Sequence, residues 1–295
     1  MTTLIVGATG LVGGEICRIL AEGGRSVRAL VRTTSSPEKV ARLKSLGASI
    51  VTGDLKDPSS IEEACRGARV VVSTASSTLS RQAGDSIETV DHRGQLDLID
   101  AAVRAGVERF VFVSFGDVGV EFPLQSAKRD AEERLRRSGM TYSILHPMAF
   151  MEVWLRPALG FDAAGGTARI FGSGEHKISW ISFQDVANFA AVAIDAPAAA
   201  NAVIRLGGPE ALSPVDVVRL AEQATGKPFL VERVPEEALR AQYATADDPM
   251  QKSFAALMLY VAGGDVVDMD GTLQAFGVRR LKSVREYLTA APSTV

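Results

Sequence analysis

The run Thr3-Leu4-Ile5-Val6-Gly7-Ala8-Thr9-Gly10-Leu11-Val12-Gly13 decides how the rest of the chain is read. A short strand-like stretch leads into a G-x-x-G-x-x-G loop, and apolar residues at helical spacing (Leu11, Val12, Ile16, Ile19, Leu20) follow it. Gly7 permits a tight turn, Gly10 lets backbone approach a diphosphate, and Gly13 lets the helix pack close to the strand. The positive end of the helix then faces the phosphate charge. A plain glycine turn has the same letters. The strand before and the helix after give the match its weight, and they mark Gly7, Thr9, Gly10, Leu11, Val12 and Gly13 as candidate cofactor ligands.

Working outward, β-branched runs recur at 27–31, 49–52, 70–73 and 110–114, several of them almost wholly apolar, as strands covered on both faces are. Helical patterns separate them. One opens at Ser59-Ser60-Ile61-Glu62, where Ser and Glu three apart read as a capping box, and another spans about 86–105. Strand–helix alternation at this spacing predicts a doubly wound parallel α/β sheet. A polar loop (116–123), a helix (125–138) and a strand (142–145) continue it. After Pro147 the texture changes, with Met148-Ala149-Phe150-Met151 and Trp154 followed by Gly165-Gly166 and Gly172-Ser173-Gly174. Residues 1–147 are expected to form the dinucleotide-binding domain and 148–295 a smaller α/β substrate lobe folded onto the same sheet. Helices are expected there near 184–194, 214–225 and 252–261.

The second strand ends Leu30-Val31-Arg32, where a protein preferring NAD usually carries an acid for the ribose 2′-hydroxyl. Arg32 instead offers a fork suited to a 2′-phosphate, with Ser35, Ser36 and Lys39 nearby, so NADP(H) is the expected cofactor. Asp54, next to Leu55, is either an acceptor for the adenine amine or a turn residue. Thr74, Ala75 and Ser76 end the fourth strand with small side chains that let a cofactor pass. Ser114 ends the fifth strand at the edge where open α/β sheets bind ligands.

Bulk properties bound the alternatives. A net charge of −3 gives no reason to expect nucleic acid. Cys17 and Cys65, with three scattered histidines, build neither a disulfide framework nor a metal site. The first residues show no basic segment before an apolar run, and no apolar stretch matches a membrane span. The reading is a cytoplasmic chain with a small-molecule substrate. Amphipathic patterns at 252–261 and 283–288 leave open a pocket cover or a homodimer face.

These motifs resemble the atypical short-chain dehydrogenases, and within them the NmrA-like and isoflavone-reductase-like group. The resemblance rests on Gly7 to Gly13, Leu30-Val31-Arg32, Gly53-Asp54-Leu55, Val113-Ser114-Phe115-Gly116, Lys128 and Phe150-Met151-Glu152, and covers most of residues 1–155. It implies a Rossmann sheet, NADP(H), and often a reductase of a quinone, enone or aromatic carbonyl compound. Some relatives are cofactor-binding redox sensors without turnover, and sugar-nucleotide epimerases share the fold. It also implies that Pro147 and Phe150 flank the nicotinamide. One departure matters: four residues before Lys128, where ordinary short-chain dehydrogenases carry their acidic Tyr, stands Leu124. Lys128 therefore becomes the leading catalytic candidate, with Ser114 beside it. The alternative for Lys128 is a helix-surface pair with Glu132, worth a few tenths of a kcal/mol. Relatives often carry Arg before the Pro at 147, whereas His146 stands here.

Overall fold

Residues Thr2–Val6 form β1, and alternation has no role in them because both faces are covered: Leu4 and Ile5 are fully buried. The structure, a computed structural model, describes residues 1–80 and 82–290. After β1 come α1 (Leu11–Glu22), β2 (Ser26–Val31), α2 (Pro37–Ser45), β3 (Ser49–Thr52), α3 (Pro58–Cys65) and β4 (Val70–Ser73). A π-helical turn (Ile87–His92) leads into α4 (Arg93–Arg104), followed by β5 (Arg109–Val113), α5 (Pro123–Arg136) and β6 (Thr141–Pro147). The sheet order is β3-β2-β1-β4-β5-β6, and these strands pair in parallel, with Ile5 opposite both Ala29 and Val72. Leu4, Val71, Phe110, Phe112, Ile61, Leu98 and Leu135 make one continuous core between sheet and helices. Each such side chain contributes roughly 1.5–3 kcal/mol by leaving water. The doubly wound sheet expected from the sequence is the one observed.

The remaining elements are α6 (Met151–Trp154), β7 (Phe161–Asp162), β8 (Thr167–Phe171), α7 (Phe183–Ala193), β9 (Ala202–Leu206), α8 (Pro214–Thr225), β10 (Leu230–Val234), α9 (Glu236–Thr245), α10 (Pro249–Gly263), α11 (Asp270–Phe276) and α12 (Val284–Thr289). β9 joins the large sheet beside β6. A second sheet has the order β10-β8-β7, with β10 parallel and β7 antiparallel to β8. Its core gathers Trp180, Phe171, Ile170, Val217, Leu239 and Val261.

The chain divides into two compact units that interleave in sequence. One comprises Met1–Phe115, Pro123–His146 and Val186–Ile204; the other comprises Gly116–Phe122, Pro147–Asp185 and Arg205–Val295. A boundary at 147 therefore misses a return of the chain. Residues 186–204 come back because the first unit needs them: Arg109 Nη1 donates to the carbonyls of Ala193 and Ile194 at 2.5 and 2.9 Å. The Ser143 hydroxyl likewise donates to Ala199 O at 2.8 Å.

Two local expectations are corrected. The capping box expected at Ser59 does not form; Asp57 caps α3 by accepting from the amides of Ser59 and Ser60, because Pro58 takes the first helical position. The helix expected over 86–105 begins as the π turn, capped by Ser86 and Thr89, before becoming α-helical at Arg93. The wider turn leaves Asp91 wholly buried.

Candidate functional site

Gly7 has φ +86°, a conformation that penalises any side chain. A Cβ there would also lie 2.6 Å from Thr74 Oγ1 and 2.9 Å from Ala75 N. At Gly13 a Cβ would come within 2.2 Å of Gly7 O. The two glycines thus let the turn, α1 and the end of β4 share one small volume. Thr74 holds the third side, its amide and hydroxyl both donating to Val6 O, at 2.9 and 3.2 Å. Gly10 is the N-cap of α1 and has no side chain to cap it. Its own amide donates to Gly7 O and Gly14 N donates to Gly10 O, both at 2.9 Å. The amides of Leu11, Val12 and Gly13 find no acceptor among the described residues. A row of unspent donors on a positive helix end is what a diphosphate requires, so the loop fits the dinucleotide expected for it.

Arg32 follows β2 as expected, with its amide held by Ser35 Oγ at 3.0 Å. Its guanidinium is already partnered: Nη1 meets Asp85 Oδ2 at 2.7 Å. Lys56 Nζ meets the other oxygen, Asp85 Oδ1, at 2.5 Å. The Ser80 hydroxyl donates to the same carboxylate. Burial alone would raise the Asp85 pKa, but the hydrogen bonds from Lys56, Ser80 and Arg32 outweigh it and hold it below the usual carboxylate range. Sequence reading missed Lys56 and Asp85. Asp54 behaves as a turn residue, accepting from Lys56 N at 3.0 Å, and Leu55 is buried. Ala75 O accepts from Gln95 Nε2 at 3.2 Å, and Ser76 shares a hydrogen bond with Thr78.

Lys128 is only 3% exposed, so the helix-surface reading does not hold, and its partner is not Glu132. Its ammonium lies 3.3 Å from Asp91 Oδ1 and 5.0 Å from the centre of the Phe112 ring. Asp91 Oδ2 accepts from the amide and hydroxyl of Ser77 at 2.9 and 2.5 Å, while Oδ1 has no hydrogen-bond partner. A buried lysine with one ion pair retains donors for something else.

Glu132, one helical turn on and equally buried, gathers a second network. Its Oε1 accepts from Ser114 Oγ at 2.7 Å and meets His146 Nε2 at 2.8 Å. Arg129 and Arg136 also donate to it. Burial would raise the Glu132 pKa, but hydrogen bonds from His146 and Ser114 and the charges of His146 and Arg129 lower it overall. The carboxylate is therefore ionised, and the Ser114 hydroxyl proton is committed to it. Ser114 can still accept a hydrogen bond but is not free to donate one. His146 is buried and partnered by Glu132.

Cys17 and Cys65 are buried, and burial pushes their thiols up to about 12 and about 11, which removes them as nucleophiles. The second unit holds Pro147, at the end of β6, and Phe150, which bridges to Ile181. Met151 and Trp180 are core residues there. Trp154 and Trp180 line a cavity of about 30 Å³, too small for an organic substrate. A hollow of about 520 Å³ elsewhere in this unit has a mixed lining, with Glu210, Asp268, Arg279 and Arg280 beside Val266, Met269 and Leu273. Asp185, in the first turn of α7, is pushed up to about 6 by burial, with the Glu152 carboxylate adding to the effect. No helix among the described residues is long and apolar enough to cross a membrane.

Known proteins share this architecture. The chain is 33% identical to the isoflavone reductase homolog IRL of Zea mays over 95% of this chain and 90% of that protein. It is 32% identical to the photosystem II assembly factor Ycf39 of Cyanophora paradoxa, over 80% of this chain and 72% of that one. Among solved structures, an NADPH-dependent quinone oxidoreductase of Escherichia coli, complexed with NADPH, superposes with a TM-score of 0.77 at 21% identity, covering 98% and 99% of the two chains. The NmrA-like family matches residues 1–288, and the chain belongs to that family.

Proposed function

We propose that the chain is an NADP(H)-dependent oxidoreductase that reduces a small, weakly charged organic compound of the quinone, enone or aromatic carbonyl type. The observation that carries this reading is the uncapped start of α1, whose amides at Leu11, Val12 and Gly13 have no acceptor among the described residues. They bind the diphosphate, Arg32 meets the 2′-phosphate, and Thr9, Asp54, Leu55, Thr74, Ala75 and Ser76 contact the remainder of the dinucleotide. Pro147 and Phe150 complete the expected set. The bound nicotinamide supplies the hydride. The ammonium of Lys128, oriented by Asp91, holds a ribose hydroxyl and stabilises charge developing on the acceptor oxygen. Asp91 is oriented in turn by Ser77. Ser114 accepts a hydrogen bond at the strand edge while its own proton stays on Glu132.

The isoflavone reductase homolog and the quinone oxidoreductase support the reaction class. NADPH oxidation against a panel of quinones and enones tests it. Wild-type turnover is expected with at least one acceptor, and Lys128→Met should lower kcat by roughly 100-fold, the scale of one lost electrostatic donor. Consumption of NADPH with none of them ends the reductase reading.

A second reading, a cofactor-binding regulator without turnover, draws on the assembly factor's similarity over 80% of the chain. It predicts binding that distinguishes NADP+ from NADPH in the absence of any reduced acceptor. Equal affinity for the two forms would count against it.

A further inference from the structure

The ion cluster at Arg32 occupies a telling place. In the order β3-β2-β1-β4, the end of β1, where Gly7 turns, lies between the ends of β2 and β4. Asp85 follows β4, so it reaches Arg32 only by crossing the sheet edge in front of the glycine loop. Lys56 arrives from the opposite side, after β3, and its ammonium also donates to Ala83 O at 3.2 Å. Two cations from two strand ends thus converge on one carboxylate. That carboxylate is 2% exposed, whereas the Arg32 and Lys56 side chains keep 29% and 26% of their surface in solvent. With Asp54 Oδ2 at 3.6 Å from Lys56, the four formal charges cancel, and the cluster has little pull on a dianion.

We propose that Asp85 is an internal anion standing where the dinucleotide's 2′-phosphate binds, that Arg32 and Lys56 together form the phosphate's site, and that the phosphate must displace Asp85 to enter it. This rests on the dinucleotide reading above and deepens it. Asp85 becomes a specificity residue that lowers the preference for NADP(H) over NAD(H), since a ligand's apparent affinity falls with the fraction of sites already filled. Lys56 becomes a second phosphate ligand beyond Arg32. A carboxylate held ionised by three donors is the right kind of competitor, because it loses nothing by meeting cations and is replaced only by a stronger anion.

Calorimetry with 2′,5′-ADP and 5′-ADP separates the phosphate subsite from the rest of the nucleotide. Asp85→Asn, nearly isosteric, should tighten 2′,5′-ADP roughly tenfold and leave 5′-ADP unchanged. Its 2′,5′-ADP affinity should also fall more steeply with salt. Lys56→Gln should weaken 2′,5′-ADP several-fold without touching 5′-ADP, and it tests the same claim should the Asp85 variant fold poorly. Weaker binding of 2′,5′-ADP to Asp85→Asn overturns the proposal, because Asp85 would then serve to hold Arg32 in place for the phosphate. Equal shifts for both nucleotides overturn it as well. Wild-type protein that binds 5′-ADP but shows no selective shift in either variant sinks this inference alone. Wild-type protein that binds neither nucleotide sinks the dinucleotide reading with it.

Discussion

Helices α1 and α8 are both 12 residues long, and they begin in opposite ways. At α8, Ser213 Oγ accepts from Asp216 N, Asp216 Oδ2 accepts from Ser213 N, both at 3.1 Å, and Pro214 brings no amide to satisfy. With Val215 N donating to Gly174 O at 3.1 Å, no amide of the first turn is left open. At α1 the cap is Gly10, and the amides of Leu11, Val12 and Gly13 are left open. A missing cap costs on the order of 1 kcal/mol. The same fold therefore uses the stabilising device at α8 and forgoes it at α1. A helix start kept bare beside a strand-end arginine is arranged for a ligand's anion, and a self-capped one is arranged for stability alone.

The harshest way to break this contrast is to fill the bare end. In Gly13→Val a Cβ would sit 2.2 Å from Gly7 O, so α1 or the turn must move. Calorimetry should find NADP+ binding lost beyond detection, and urea unfolding should show a cost of about 1–3 kcal/mol from overpacking. The matched change at the other helix is Gly226→Ala, at its C-terminal cap. That residue has φ +68° and open space around it, so strain alone should cost about 1 kcal/mol and NADP+ affinity should not change. Unaltered NADP+ affinity in Gly13→Val would remove the distinction between the helices.

Much of the first unit was legible because its signals are local. Apolar runs such as 70–72 read as covered strands, and the glycine loop carries its geometry in its own letters. What could not be read depends on partners far along the chain. Asp85 stands 53 residues from Arg32 in an irregular segment, and no periodicity points from one to the other. Lys128 and Glu132 look like a surface pair because they are four apart on a largely charged helix, yet both turn inward. Lys128 finds its counter-charge on another element, Asp91 from the π turn, and Glu132 meets His146 from β6 as well as Arg129 and Arg136 on its own helix. The π turn leaves no mark in its sequence, since its extra residue per turn comes from packing. The return of residues 186–204 to the first unit is equally silent, because it is made by carbonyls that every residue possesses.

First-turn acids sharpen the comparison through pH. Asp216, hydrogen-bonded by Ser213, lies below the usual carboxylate range, whereas Asp185 at α7 is raised by burial from 3.8 to about 6. An acid whose folded pKa is raised favours the folded state when protonated. The stability it lends is full below about pH 4, falls as pH rises toward 6, and is gone above it. Asp185→Asn keeps an oxygen for the amide of Lys282, which donates to Asp185 Oδ2 at 2.9 Å. It should be about 1–3 kcal/mol more stable than wild type at pH 8 and no different at pH 3.5, as read by urea midpoints. A difference that persists at pH 3.5 would assign the effect to packing instead of charge.

The smallest effect is the finest test. Ser213→Ala removes the acceptor of Asp216 N and should cost about 1 kcal/mol, lowering Tm by about 2 °C. The cost should be larger at neutral pH than at pH 3. A depressed carboxylate contributes stability above its unfolded pKa, and that contribution is lost as pH falls through the folded value. NADP+ affinity should stay as it was. The reciprocal change, Gly10→Ser, gives α1 the cap that α8 has, at a residue whose φ of −82° suits a side chain. If the hydroxyl takes up the open amides, the free protein gains up to about 1 kcal/mol, and NADP+ loses affinity severalfold because its diphosphate now competes for donors already used. A gain in stability with affinity untouched would mean that the diphosphate never used those amides, and the bare start of α1 would then need another explanation.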